Sequence, residues 1–277
     1  MTTDFNTHIS NINMAHIVFA GFTGDRSGSM TSMGESPSDG LFNWIKDQSV
    51  QAAENSQTVK LFVSTFDTHN EIRYNNKSID DIKIDDQLRE DCKTWMLPRG
   101  MTKLYDSAIA DLTRLMRAKE EFEANMAPML REIDPKIVMV WACLTDGFDN
   151  SSMSTVAMFR QKVEEAKAAG VKCFFLAANQ DAISTGQQYG FDASCSMTIG
   201  ADRRTSANAM RCLSQVTQQV SQGVDDFEGF TSMMRQSSAP AAPASFSTQA
   251  TNIAPPIPTV QAFPVMPPFP NLRQPAL

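Results

Sequence analysis

Near the start of the chain, Asp25-Arg26-Ser27-Gly28-Ser29-Met30 sets one carboxylate and two hydroxyls at alternate positions. These are hard oxygen donors, suited to Mg²⁺ and poor for Zn²⁺ or copper. Gly28 is expected to let the turn curl so that the three oxygens converge. An Asp-x-Ser-x-Ser run also fits a turn that caps a following helix, so both readings stand until the rest of the chain is considered. Two more oxygen-bearing turns matter. Thr102 lies in Gly100-Met101-Thr102, and Asp146 in Thr145-Asp146-Gly147.

The elements around these turns explain why they should meet. Residues 17–22 are a short apolar run, read as a buried strand that ends just before Asp25. Residues 136–144, Lys-Ile-Val-Met-Val-Trp-Ala-Cys-Leu, are apolar almost throughout, as a parallel strand covered on both faces should be. Asp146 follows it directly. Thr102 precedes a helix over 104–119, with Leu104, Ala108, Ile109, Leu112, Leu115 and Met116 at helical spacing. The spacing also predicts helices over 37–55, 154–169, 181–189 and 207–222, and strands over 59–66, 171–178 and 196–199. A strand over 71–74 follows 59–66 through a short turn read as a hairpin, so it should be antiparallel and at a sheet edge. Residues 76–96 read as a polar connecting excursion with a weak helix over 87–95. The alternation predicts a doubly wound, mostly parallel α/β sheet with helices on both faces. In such sheets ligands bind where loops leave the carboxyl ends of the strands.

Taken together, Asp25-Arg26-Ser27-Gly28-Ser29, Gly100-Met101-Thr102-Lys103-Leu104-Tyr105-Asp106 and Thr145-Asp146-Gly147 resemble, in order and spacing, the metal-ion-dependent adhesion site of von Willebrand factor A domains. The runs Leu144-Thr145-Asp146-Gly147-Phe148-Asp149-Asn150-Ser151-Ser152 and Phe174-Phe175-Leu176-Ala177-Ala178-Asn179-Gln180-Asp181-Ala182 are similar to small stand-alone A-domain proteins of bacteria, phages and large viruses. The resemblance covers roughly 14–230. It departs from the family at Gly21 and Gly24, in a strand that is normally all aliphatic. It implies that Ser27, Ser29 and Thr102 bind Mg²⁺, or Mn²⁺ in its place, directly. Asp25 and Asp146 would act largely through water. It also implies that a protein partner supplies an Asp or Glu carboxylate as the sixth ligand. Asp149 would either line the rim or simply turn its loop.

Composition sets outer limits. The 277 residues carry a net charge of −7 with no basic cluster, which argues against nucleic acid as a partner. Five cysteines, Cys92, Cys143, Cys173, Cys195 and Cys212, lack metal-ligand spacing and read as buried free thiols in a reducing compartment. With no basic, apolar leader and no membrane-length apolar run, the expectation is a cytoplasmic protein that does not engage a membrane.

Residues 1–13 read as an N-terminal arm and 14–235 as the A domain. From 236 to 277 the character changes. Ten of the fourteen prolines lie there and Arg273 is the sole charged side chain, which predicts a disordered, polyproline-biased tether. The stretch from Phe263 to Pro270 is alternatively a docking motif for a second partner.

Enzymatic readings are weaker. An Mg²⁺-dependent phosphohydrolase would use Asp25 as nucleophile with Lys103 on the phosphate, but it wants a carboxylate two residues on, where Ser27 stands. His8, His16 and His69 are all misplaced for a Ser-His-Asp triad, and no P-loop run occurs. The expected function is a non-enzymatic metal-dependent binding module, with the domain as mere carrier of the tail a further alternative.

Overall fold

The computed structural model describes residues 16–223 and 227–240. The N-terminal arm and nearly all of the proline-rich tail, including the stretch from Phe263 to Pro270, lie outside the described residues.

The elements run β1 (His16–Asp25), α1 (Ser36–Asn55), β2 (Thr58–Phe66), β3 (Asn70–Ser78), α2 (Asp86–Trp95), α3 (Leu104–Ala124), α4 (Pro128–Ile133), β4 (Lys136–Thr145), α5 (Val156–Ala168), β5 (Val171–Ala178), α6 (Ala182–Gln188), β6 (Ser196–Ile199), α7 (Arg203–Gln222) and α8 (Ser232–Ser238). The strands form one sheet in the order β3-β2-β1-β4-β5-β6. β1 runs parallel to both β2 and β4, and only β3, at the edge, is antiparallel. This is the doubly wound, mostly parallel architecture of the von Willebrand A and Rossmann-like folds.

Alternation along β1 and β4 splits the core into two layers. Val18, Ala20, Phe22, Val138 and Val140 face a cluster with Leu41, Trp44 and Ile45 of α1 and Leu213 and Val216 of α7. Ile17, Phe19, Met139 and Trp141 face the opposite cluster, with Leu104, Leu112 and Leu115 of α3 and Phe159 and Val163 of α5. Both faces of the two central strands are therefore dry, which is why they read as continuous apolar runs.

β1 continues through Gly21 and Gly24 to Asp25, beyond the apolar run that announces it. The glycines are there for their neighbours. Gly21 pairs with Trp141 across the β1–β4 ladder, and a Cβ at Gly21 would lie 2.8 Å from the indole Cδ1. At Gly24 a Cβ would lie 2.8 Å from Phe22 Cε1 and 3.1 Å from Met96 Sδ.

Other differences have local causes. α7 starts at Arg203 because the Asp202 side chain accepts from the amides of Arg204 and Thr205. The segment read as a connecting excursion supplies buried Ile79, Leu88 and Cys92 to the core beside α1. Two short helices, α4 and α8, lie outside the helices that spacing predicts. α8 crosses the 235/236 boundary drawn from composition, with Ser238 buried and its carbonyl accepting from the Gly200 amide at 2.8 Å. All five cysteines are buried free thiols. Among the described residues no helix is long and apolar enough to cross a membrane.

Candidate metal centre

The strand order reverses between β1 and β4, the point at which open parallel sheets leave a crevice at their carboxyl ends. Gly24 of β1 pairs with Leu144 of β4, so Asp25 and Thr145 end adjacent strands. The loop entering α3 lies over the same edge, because Gly28 N donates to Gly100 O at 3.2 Å and Arg99 N to Arg26 O at 2.7 Å.

These constraints bring the five predicted oxygen-bearing residues together. Asp25 is buried, its Oδ1 accepting from the Ser27 amide at 2.7 Å and its Oδ2 from Thr145 Oγ1 at 2.6 Å. The Ser27 and Ser29 hydroxyls lie 3.0 Å apart. Ser29 Oγ donates to Asp146 Oδ1 at 2.6 Å, while Asp146 Oδ2 is buried and has no hydrogen-bond partner. Gly147 locates the fifth group: a Cβ there would sit 3.7 Å from Ser29 Oγ and 4.0 Å from Thr102 Oγ1. Thr102 is held by its backbone, which receives the Asn150 and Ser151 amides at 3.0 and 3.2 Å and donates to Asn150 Oδ1 at 2.8 Å.

The electrostatics are those of a site short of positive charge. Burial drives the Asp25 pKa up to about 6; bonds from Thr145 and Ser27 offset this in part, and Asp146 adds to the rise. Burial also raises Asp146, against the opposing Ser29 bond. Three neutral hydroxyls, two strained carboxylates and an orphaned carboxylate oxygen fit a hard divalent cation. Among the described residues no group of three or more His, Cys, Asp or Glu side chains forms a metal cage, so the candidate centre depends on its hydroxyls.

Gly28 serves the loop differently from expectation. Its backbone is not left-handed; the positive φ falls on Gly100, at +69°, where a Cβ would come within 2.8 Å of Thr68 Oγ1. Asp149 turns its loop. It accepts from the amides of Tyr105 and Ser152, both at 3.1 Å, and from Ser152 Oγ at 2.5 Å. Lys103, considered above as a phosphate ligand, pairs with Asp106 at 3.4 Å.

Sequence reasoning missed the scaffold beneath the loops. Arg26, only 3% exposed, bridges Asp67 at 3.1 Å and Glu71, and Arg99 reaches the same two carboxylates. Burial opposes charge on Asp67, but Arg99, the His69 amide and Arg26 outweigh it and hold its carboxyl below the usual range. Asp106 clamps the opposite side by accepting from the amides of Met153 and Ser154 at 3.0 and 2.9 Å. The faint signal for Asp67 is its place right after β2; nothing in the spacing of the Asp25, Ser27 and Ser29 donors signals a role for Arg26.

No protein-family model and no curated protein matches this sequence. Solved structures do resemble the fold. The pilus adhesin SpaC from Lactobacillus rhamnosus GG superposes with a TM-score of 0.51 at 12% identity, over 74% of this chain and 31% of that one. A von Willebrand factor type A protein from Catenulispora acidiphila gives 0.45 at 14%, over 74% and 43%. Proximal thread matrix protein 1 from the mussel byssus, with a zinc-occupied MIDAS motif, gives 0.45 at 15%, over 76% and 46%. Identities this low speak for the fold alone, and the chain spans less than half the length of each of these.

Proposed function

We propose that this chain is a non-enzymatic, metal-dependent protein-binding module. Ser27, Ser29 and Thr102 would hold Mg²⁺, or Mn²⁺ in its place, directly, with Asp25 and Asp146 acting mostly through water. The bound ion would supply a Lewis-acidic position for an Asp or Glu carboxylate of a partner protein. The observation that carries this reading is Asp146 Oδ2, a buried carboxylate oxygen with no partner beside two converging hydroxyls. A buried polar atom left unsatisfied is rare and costly, and a cation or its water relieves it.

The chain's own residues favour capture over turnover. Both Asp25 oxygens are engaged, by the Ser27 amide and the Thr145 hydroxyl, on a residue buried at the end of β1. That arrangement fixes the carboxylate and keeps it out of solvent, which suits it to orienting a ligand shell rather than to attack on phosphorus.

Titration calorimetry of the full chain with MgCl₂ and MnCl₂ tests the site, with one equivalent expected and no binding to Asp146→Ala. Affinity capture from a lysate with and without EDTA tests the role. Captured proteins that elute with EDTA support it, and an unchanged set with EDTA overturns it.

A further inference from the structure

Large apolar side chains exposed to solvent are few, and most of them lie in the chain segments that carry the candidate centre. Among the described residues nine stand out, and six of them, Leu97, Met101, Phe148, Met153, Val156 and Met158, belong to the loops bearing Thr102 and Asp146 or to the first turn of α5 that follows. Met101 precedes Thr102 and is 49% exposed; Phe148 stands two residues after Asp146 and is 63% exposed; Met153 is 91% exposed. The loops under them are fixed. The Met101 amide donates to Thr68 Oγ1 at 3.1 Å, and the Met153 amide to Asp106. Rigid backbone presenting apolar side chains to water is unfavourable unless something covers them. Two neighbouring cations reach solvent, Arg99 and Lys103, and each is already paired with this chain's own carboxylates, so the pull on an acidic ligand falls to the metal.

We infer that these side chains form an apolar rim selecting what the metal captures: an extended acidic segment of a partner protein whose Asp or Glu is flanked, within about two or three residues, by Leu, Ile, Met or Phe. This rests on the metal-binding reading proposed above and adds the sequence class of the ligand. An ion alone accepts any carboxylate, so discrimination must come from what surrounds it. Three of the six rim residues are methionines, whose unbranched, polarisable side chains adapt to different apolar partners. The rim should therefore demand apolar flanks without demanding one particular residue.

The test uses the full chain and three fluorescent twelve-residue peptides in saturating MgCl₂, read by polarisation. One has a central Glu with Leu at the flanking positions, one a central Glu with Ser there, and one a central Gln with Leu. The Leu-flanked Glu peptide should bind on the order of tenfold tighter than the Ser-flanked one. The double variant Met101→Ser/Phe148→Ser should erase that difference while keeping the Mg²⁺ titration of the parent chain. Equal binding of both Glu peptides, lost in EDTA, overturns the rim and leaves the metal reading standing. Equal binding of the Glu and Gln peptides, insensitive to EDTA, overturns both. No binding of the Leu-flanked Glu peptide overturns the rim. So does a dimer in sedimentation velocity that the double variant abolishes, since the rim would then be covered by a second copy of the chain.

Discussion

The Ser29 hydroxyl donates to the Asp146 carboxylate across 2.6 Å, although 117 residues separate the two in the chain. Each sits on a loop at the carboxyl end of a central strand, and β1 and β4 are neighbours. The bond leaves Asp146 with one satisfied oxygen and one buried oxygen without a hydrogen-bond partner.

Thr102→Ala should weaken Mg²⁺ binding while leaving the melting temperature nearly unchanged. The loop there is held through the Thr102 backbone, and its hydroxyl makes no hydrogen bond among the described residues. Calorimetric titration beside a thermal melt checks both halves. A collapsed melt would give the hydroxyl a structural task instead.

Arg26→Met should cost about 3–5 kcal/mol in a denaturant titration, because it strands the buried Asp67 carboxylate with half its cationic partners and removes one from Glu71. Arg26→Lys should recover little of it. An ammonium lacks the planar fork that reaches both carboxylates and the Trp95 carbonyl.

Gly21→Val places the β-branched residue that a buried strand ordinarily prefers, yet it should destabilise by about 1–3 kcal/mol through contact with the Trp141 ring. Combining it with Trp141→Leu should cost less than the two changes summed. A double-mutant cycle from denaturant unfolding measures that coupling, and strict additivity would place the strain elsewhere.

Acid should loosen the 149–154 loop before the core. Burial works against charge on Asp106, but bonds from Ser154, the Met153 amide and Lys103 outweigh it and hold the folded pKa at about 2, down from 3.8. A depressed carboxylate contributes stability that is present above the unfolded value and lost as pH falls through the folded one. Between about pH 4 and 2 the parent should lose stability that Asp106→Asn never had. Melts of the two proteins across that window should converge at the acid end.

A chain ending at Ala241 should melt within a few degrees of full length and keep the metal binding proposed above. Ending it at Thr231 should cost about 2 kcal/mol or more. The second cut removes Arg235, whose guanidinium serves the carbonyls of Ala193 and Ser194, both at 2.8 Å, and the Ser238 carbonyl paired to Gly200. Equal melts for the two would show that α8 contributes nothing.

What the sequence determined by itself is the set of candidate donors and the layering. Asp25, Ser27 and Ser29 lie within five residues, so a turn rich in oxygen donors is legible there, which the Thr102 and Asp146 turns set apart from a helix cap, and the unbroken apolar run of β4 announces a strand with two dry faces. Helical spacing placed the buried faces of α1, α3 and α7 for the same reason, since a period repeats within one segment. Tertiary structure decided everything that depends on which segments become neighbours. Arg26 occupies a position with no local preference, and only the pairing of β1 with β2 and of β2 with β3 brings it to Asp67 and Glu71. Gly21 contradicts strand propensity until the β1–β4 register sets Trp141 against it. α8 straddles the boundary that composition suggests and folds because Arg235 finds carbonyls that lie 39 to 42 residues earlier in the chain. Local spacing is written in a chain, whereas long-range register is the outcome of packing both faces of one sheet at once.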